Sequence, residues 1–220
     1  MEKREQNNAR TRQRLLEAAV SLYGSRSIDS VSLREIALAG GQKNPNALQY
    51  HFGDRDGLLQ AIVDFHASGI GARRQAYFER AGSGEWPPAE AVSRCLIMPI
   101  IEYVEANAAG LDFVNIVSQL ATSNHGVYGL GSPAAVSFPR PAALAELFDA
   151  AFAGLPPEQI QQRIYLIVDT AFHAIANIFK ASRELPAQSP LADRHALCEQ
   201  LLAMVHAFIV TPAISGADAK

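Results

Sequence analysis

Ser32-Leu33-Arg34-Glu35-Ile36-Ala37-Leu38-Ala39-Gly40-Gly41-Gln42-Lys43-Asn44-Pro45-Asn46-Ala47-Leu48-Gln49-Tyr50-His51-Phe52-Gly53-Asp54 contains two helix starts and two helix stops in quick succession. Ser32 and Glu35 form a capping-box pattern: the serine hydroxyl can accept from the amide of Glu35, and the carboxylate can reach back to the amide of Ser32. A short helix comes next, with Leu33, Ile36 and Ala37 facing inward, and Gly40-Gly41 ends it. Pro45 suits the first turn of a second short helix running to Phe52. Leu48 and Phe52, four apart, share one face of it. Gly53 stops that helix, and Asp54 caps another through Leu58, Leu59, Ile62, Val63 and Phe65.

Toward the N-terminus, Leu15, Ala18, Ala19, Leu22 and Tyr23 recur at helical spacing from Thr11 onward, one buried stripe on a first helix. The ten polar residues before it read as a mobile arm, and Ser25 to Val31 as a loop. Three short helices with a glycine-containing turn between the second and third describe a helix-turn-helix. The third helix is too short to be stable alone in water. It is nevertheless rich in groups that read base edges or hold phosphate: Gln42, Lys43 and Asn44 just before it, and Asn46, Gln49, Tyr50 and His51 on it.

Toward the C-terminus, Gly82-Ser83-Gly84 with Pro87-Pro88 breaks the chain. Val92, Leu96, Ile100 and Val104 then mark a helix expected to kink at Pro99. Leu111, Val114, Val117 and Leu120 mark the next. Asn124 to Pro141 is the longest loop. Leu144, Leu147, Phe148 and Phe152 form a short helix, and Gly154-Leu155-Pro156-Pro157 separates it from two long ones, about 157–183 and 191–209. The expectation is an all-α chain of about nine helices: an N-terminal arm and helix-turn-helix domain over 1–56, and a helical regulatory and dimerisation domain over 57–220.

Composition agrees. The 220 residues are 49% apolar and 19% charged, so many helix faces are buried. Residues 1–60 hold nine basic and seven acidic residues, a net +2; the remainder hold ten and fifteen, a net −5. A mildly basic head on an acidic body suits a protein that meets phosphate with its head alone. Cys95 and Cys198 lie in apolar helical patterns and are expected to be free, buried thiols. Met1-Glu2-Lys3-Arg4-Glu5-Gln6-Asn7-Asn8 offers no leader pattern. No apolar run approaches the roughly 20 residues of a membrane span, so a cytoplasmic location is expected.

The head resembles the TetR family of bacterial repressors. The resemblance is carried by Arg14-Leu15-Leu16-Glu17-Ala18-Ala19 with Leu22-Tyr23, by Ser32 to Ala37, and by Leu48-Gln49-Tyr50-His51-Phe52-Gly53-Asp54-Arg55-Asp56-Gly57-Leu58-Leu59. Arg55 stands where the family usually has Lys, and the turn at Gly40 to Pro45 is about two residues longer than usual. The resemblance implies that Tyr50 and His51 contact phosphate or a base edge, and that Arg55 holds phosphate, helped by the positive end of its helix. It implies backbone contacts from Thr11, Ser32 and Arg34; Gln42, Lys43, Asn44 and Asn46 are the candidates for reading bases, with Gln49 on the same helix as a further DNA-binding residue. The alternative for single residues is packing against the first helix with no contact to DNA.

In the body, Ile164, Val168, Ala171, Ile175 and Ile178 alternate four and three apart, a heptad seam, and Leu197, Leu201, Met204 and Phe208 repeat it on the last helix. Two such helices from each subunit would build a four-helix dimer interface. The alternative is that both stripes face the chain's own core. Tyr165, Asp169, His173 and Asn177 recur every four residues on the same long helix. They form either a hydrogen-bonded strut or the polar floor of a ligand pocket, with Phe65, Met98, Tyr103, Phe113, Ile116 and Phe172 as apolar walls. The family resemblance implies a small effector there.

The expected function is a sequence-specific DNA-binding regulator, a repressor released from a palindromic operator by a small molecule. No cofactor, metal site or catalytic set is expected: no His-Glu-x-x-His, phosphate-binding glycine loop or nucleophile elbow is present, and Gly129-Leu130-Gly131-Ser132 lacks a preceding strand. Asp169 with His173 is the nearest approach to a catalytic pair. The competing readings are a helical enzyme and an effector-independent DNA binder.

Overall fold

A computed structural model describes residues 2–44, 46–123 and 136–212. Among them are nine α-helices, two short 3-10 turns and no strand. The helices are α1 (Glu2–Ser25), α2 (Leu33–Ala39), α3 (Asn46–Phe52), α4 (Arg55–Gly82), α5 (Pro88–Ala106), α6 (Gly110–Ser123), α7 (Ala142–Ala151), α8 (Pro157–Glu184) and α9 (Arg194–Val210). The all-α expectation and the helix order hold. Pro45, most of the loop read at Asn124 to Pro141, and the Gly129–Ser132 stretch lie outside the described residues.

One expectation fails. The stretch read as a mobile arm is helical from Glu2, where α1 starts. Glu2 to Gln6 are good helix formers, and neither Gly nor Pro intervenes before Gly24. Residues 3–10 are exposed, so packing does not hold them; helix propagates outward from the anchored Leu15 and Leu16.

The chain divides into two compact units, Met1–Gly69 with Tyr103–Pro139, and Ile70–Glu102 with Arg140–Lys220. In the first, Leu15, Leu16, Ala19 and Tyr23 of α1 are buried along with Ile36, Leu48, Leu58, Ile62, Phe113 and Ile116. The end of α1 is fastened to α6 by side-chain amides. Gln119 donates to the carbonyls of Tyr23 and Arg26 and accepts from the amide of Ile28 at 2.8 Å. Asn115 donates to the carbonyl of Gly24 at 3.1 Å. These bonds satisfy carbonyls that a helix end leaves without partners. The approach requires glycine at 24, where a Cβ would sit 2.3 Å from the Cβ of Asp112. Deeper in this unit, His66 is buried, stacked on Phe113 with centroids 4.5 Å apart, and its Nδ1 lies 2.6 Å from the Tyr103 hydroxyl. Burial holds its pKa down at about 4, so the ring is neutral.

In the second unit, α8 packs against α9. Ile167, Ala171, Ile175, Ala176, Ile178 and Phe179 of α8 and Cys198, Leu201, Leu202, Val205 and Ile209 of α9 are buried. Arg163 closes the end of α9 by donating to the carbonyls of Phe208 and Ile209. Both cysteines are buried free thiols.

The heptad seam therefore divides. Ala171, Ile175, Ile178 and Leu201 serve the chain's own core; Ile164, Val168 and Leu197 are half-buried; Met204 and Phe208 are exposed. A stripe spaced to meet one partner helix meets α9 of the same chain first. α8 is also long and apolar enough to cross a membrane by length and composition, which counting unbroken apolar runs did not reveal. One helix that meets this criterion is weak evidence of a span, and six residues of α8 are buried within the chain.

Candidate nucleic-acid interface

The turn before α3 is built as its residues dictate. The capping box on α2 is complete: the Ser32 hydroxyl accepts from the Glu35 amide, and the Glu35 carboxylate accepts from the Ser32 amide at 3.0 Å. Arg26 adds a 2.9 Å ion pair to Glu35. Led by the Ser32 amide and then by Arg26, these partners hold the Glu35 pKa down at about 2. At the other end of α2, Gly41 takes φ +74°, a left-handed backbone that glycine adopts without strain. The Gln42 amide donates to the carbonyl of Ala37 at 2.8 Å. The side chain of Asn44 accepts from the amide of Asn46 at 3.0 Å, so Asn44 starts α3.

α3 is anchored by Leu48 and Phe52, which bury against the head. Removing a leucine side chain from water contributes about 2 kcal/mol. With two anchors on one face, the remaining face points outward. Tyr50 is 76% exposed, and Lys43, Asn44, Asn46 and Gln49 are exposed as well. Gln42 and His51 are half-buried. The His51 ring meets Tyr50 edge-on, with centroids 5.0 Å apart. Desolvation, and then the charge of Arg12, lower its pKa, favouring the neutral imidazole. The alternative in which Tyr50 packs on α1 is ruled out by its exposure.

Three residues expected to meet DNA have engagements within the head or lie partly covered. The Arg55 guanidinium turns toward the 3-10 turn at Ile28–Ser30, donating to the carbonyls of Ile28 and Val31 at 3.1 Å each and reaching Asp29 at 3.5 Å. It fixes the loop between α1 and α2. The Ser32 hydroxyl is engaged by Glu35, and Thr11 is half-buried. Arg34 is exposed.

Arg12 is the residue that sequence reasoning missed. Its guanidinium lies 5.0 Å from the centre of the Phe52 ring, which brings a cation to the flank of α3. Arg10 and Arg14 are exposed on the same helix. The signal was there in Arg10, Arg12 and Arg14: Arg10 and Arg14, four apart, share one face of the helix, and Arg12 lies on the other. The apolar stripe of α1 gives no hint of it.

Comparison with solved structures settles the architecture. A putative TetR-family transcriptional regulator from Rhodococcus sp. is 18% identical to this chain, with 91% of this chain and 99% of that one covered, at a TM-score of 0.51. The fold is that of TetR-family regulators. A TetR-family regulator from Streptomyces coelicolor A3 aligns over 92% of this chain and 96% of its own at 15% identity and a TM-score of 0.46. In sequence, the chain is 35% identical over 75 residues to the HTH-type transcriptional regulator AcrR of Shigella flexneri. That match takes in 34% of each chain, so this chain spans about a third of the length of the curated relative it matches. No family model matches the chain. The TetR-family fold is thus shared nearly end to end, while the sequence likeness is local.

Within that fold the expected pocket residues separate. Phe65, Tyr103, Phe113 and Ile116 belong to the first unit, and Met98 with the α8 residues to the second. Tyr103, Phe113 and Ile116 are buried, Phe65 is exposed, and Met98 is half-buried. On α8, Tyr165, Asp169, Phe172 and His173 are half-buried and Asn177 is exposed. His173 Nδ1 lies 3.0 Å from the carbonyl oxygen of Asp169 and 3.5 Å from its carboxylate, a local bond within one helix turn.

Proposed function

We propose that this chain is a sequence-specific DNA-binding transcriptional regulator that inserts α3 into the major groove of duplex DNA. One observation carries the reading: Leu48 and Phe52 hold α3 from one side, leaving Tyr50, Gln49, Asn46, Asn44 and Lys43 exposed together. Amides suit adenine edges, and lysine suits phosphate or guanine. Arg12 and Arg34 supply flanking positive charge for the phosphates, with Thr11 and His51 at the margin. Arg55 and Ser32 act one step back, by fixing the loop and the helix start that position α3.

The body is the regulatory part. One head gains little affinity, and two related by a twofold axis read two half-sites of a palindrome. The exposed apolar residues Leu166, Met204 and Phe208 of α8 and α9 are the surface assigned to a homodimer. A small-molecule effector that favours one spacing of the heads over another releases the operator, which makes the chain a cytoplasmic repressor. The test is a gel shift with DNA from upstream of the chain's own gene. Specific retardation that weakens steeply with salt supports the reading. No retardation at low salt overturns it.

A further inference from the structure

α5 carries a proline at its middle, and the consequence falls on one carbonyl. In an uninterrupted helix the amide of residue 99 donates to the carbonyl of residue 95. Pro99 has no N–H, so the Cys95 carbonyl lacks its ladder partner. Arg74 of α4 supplies one: its Nε donates to that oxygen at 2.9 Å. This bond uses one edge of the guanidinium and leaves the two terminal amino groups.

Those groups have no carboxylate. Among the described residues, Arg26, Arg55, Arg80 and Arg94 each pair with an acid, Glu35, Asp29, Glu85 and Glu90 in turn. Arg74 forms no such pair. The thiol of Cys95 does not serve instead, because burial pushes its pKa up to about 11 and it stays neutral. Arg74 is also desolvated enough that its own pKa falls below the ordinary arginine value. Arg74 is half-buried, and a guanidinium partly withdrawn from water without an anion carries an uncompensated cost. A carboxylate meeting the fork with two parallel hydrogen bonds removes that cost.

The surroundings describe the rest of the ligand. Ala91, Val92, Leu96 and Ile97 of α5 are buried and apolar. Met98, one turn beyond Cys95, is only half-buried in the midst of buried neighbours. We propose that Arg74 is the anchor for a small organic monocarboxylate with an apolar body, held beside Met98, and that this is the chemical class of the effector. Its role as effector rests on the regulator reading above; the binding does not.

The test uses full-length protein and two matched pairs of probes, octanoate with octanamide and phenylacetate with phenylacetamide, measured by calorimetry. Because Arg74→Met alone strands the Cys95 carbonyl, the informative background is Pro99→Ala, which restores the amide that carbonyl lacks. Wild type and Pro99→Ala are expected to bind each acid at least tenfold more tightly than its amide. Pro99→Ala with Arg74→Met is expected to lose that preference while keeping its melting temperature. Equal binding of acid and amide, failure of both acids to bind, or a preference that survives loss of Arg74 overturns the proposal. The gel shift without probes stands apart, so failure here leaves the DNA-binding reading intact.

Discussion

α3 and α8 are opposite solutions to the same requirement. α3 has 7 residues and cannot stand alone; two buried side chains hold it, and nearly everything polar on it faces out. α8 has 28 residues and six buried positions, and its remaining polar and apolar groups are divided between half-buried and exposed positions. An exposed polar face on a helix that exists only through its neighbours has few structural uses, so it points to a ligand. A long amphipathic helix has many uses, and its spacing alone does not choose between them.

The sharpest way to break this contrast is Ile175→Asp. Ile175 is wholly buried within the chain, so a charge there is expected to cost about 4 kcal/mol or more and to abolish the cooperative melt seen by circular dichroism. A folded, monomeric variant would instead return this face of α8 to the dimer seam.

Next in size is the acid response of the first unit's core. His66 is buried and neutral, with a folded pKa of about 4 against an ordinary value of 6.5. Its contribution is therefore full above pH 6.5 and is lost as pH falls from there toward 4, about 3 kcal/mol in all. His66→Gln keeps an acceptor for Tyr103 but does not titrate. Denaturant melts of the two proteins at pH 7, 5.5 and 4 are expected to show a flatter acid limb for the variant; equal slopes would mean that His66 is already hydrated.

Tyr50→Ala sharpens the other side. It is expected to weaken specific DNA binding about tenfold or more and to move the melting temperature by no more than about 2 °C. A large fall in melting temperature would make Tyr50 structural. The smallest effect is at Glu35. Its carboxylate stabilises the capping box above the ordinary carboxyl pKa of 4.5, and that contribution fades as pH drops toward about 2. Glu35→Gln retains the box geometry, so the gap in melting temperature between wild type and variant should close over that range. A gap that stays constant with pH would assign the effect to packing.

The head was legible because its signals are local. Ser32 with Glu35, Gly40-Gly41, Gly53 and Asp54 each act within about one helix turn, so their outcome depends on near neighbours whatever the rest of the chain does. Leu48 and Phe52 needed only the α-helical repeat. What the chain did not show is of the opposite kind. Arg55 reads as a phosphate ligand, and folding also has it donate to the carbonyls of Ile28 and Val31, a loop more than twenty residues earlier. Arg12 drew no notice in the sequence, and folding sets this exposed residue over Phe52. The first ten residues read as a mobile arm because they are polar, whereas helix continuation over residues 2–10 depends on the anchored turns at Leu15 and Leu16.

What the amino-acid order determined by itself is the succession of helices and the exposed character of α3, since backbone capping and periodicity are short-range effects. Tertiary structure alone decided which polar groups are already spoken for: Gln119 on the end of α1, Arg55 on its loop, and Arg74 on a carbonyl that Pro99 set free. It also decided that Ile175 lies in the core rather than on a partner. The physical reason is that a hydrogen bond or an ion pair is satisfied by whatever comes within about 3 Å, and nothing in the spacing of residues along a chain reports which distant group that will be.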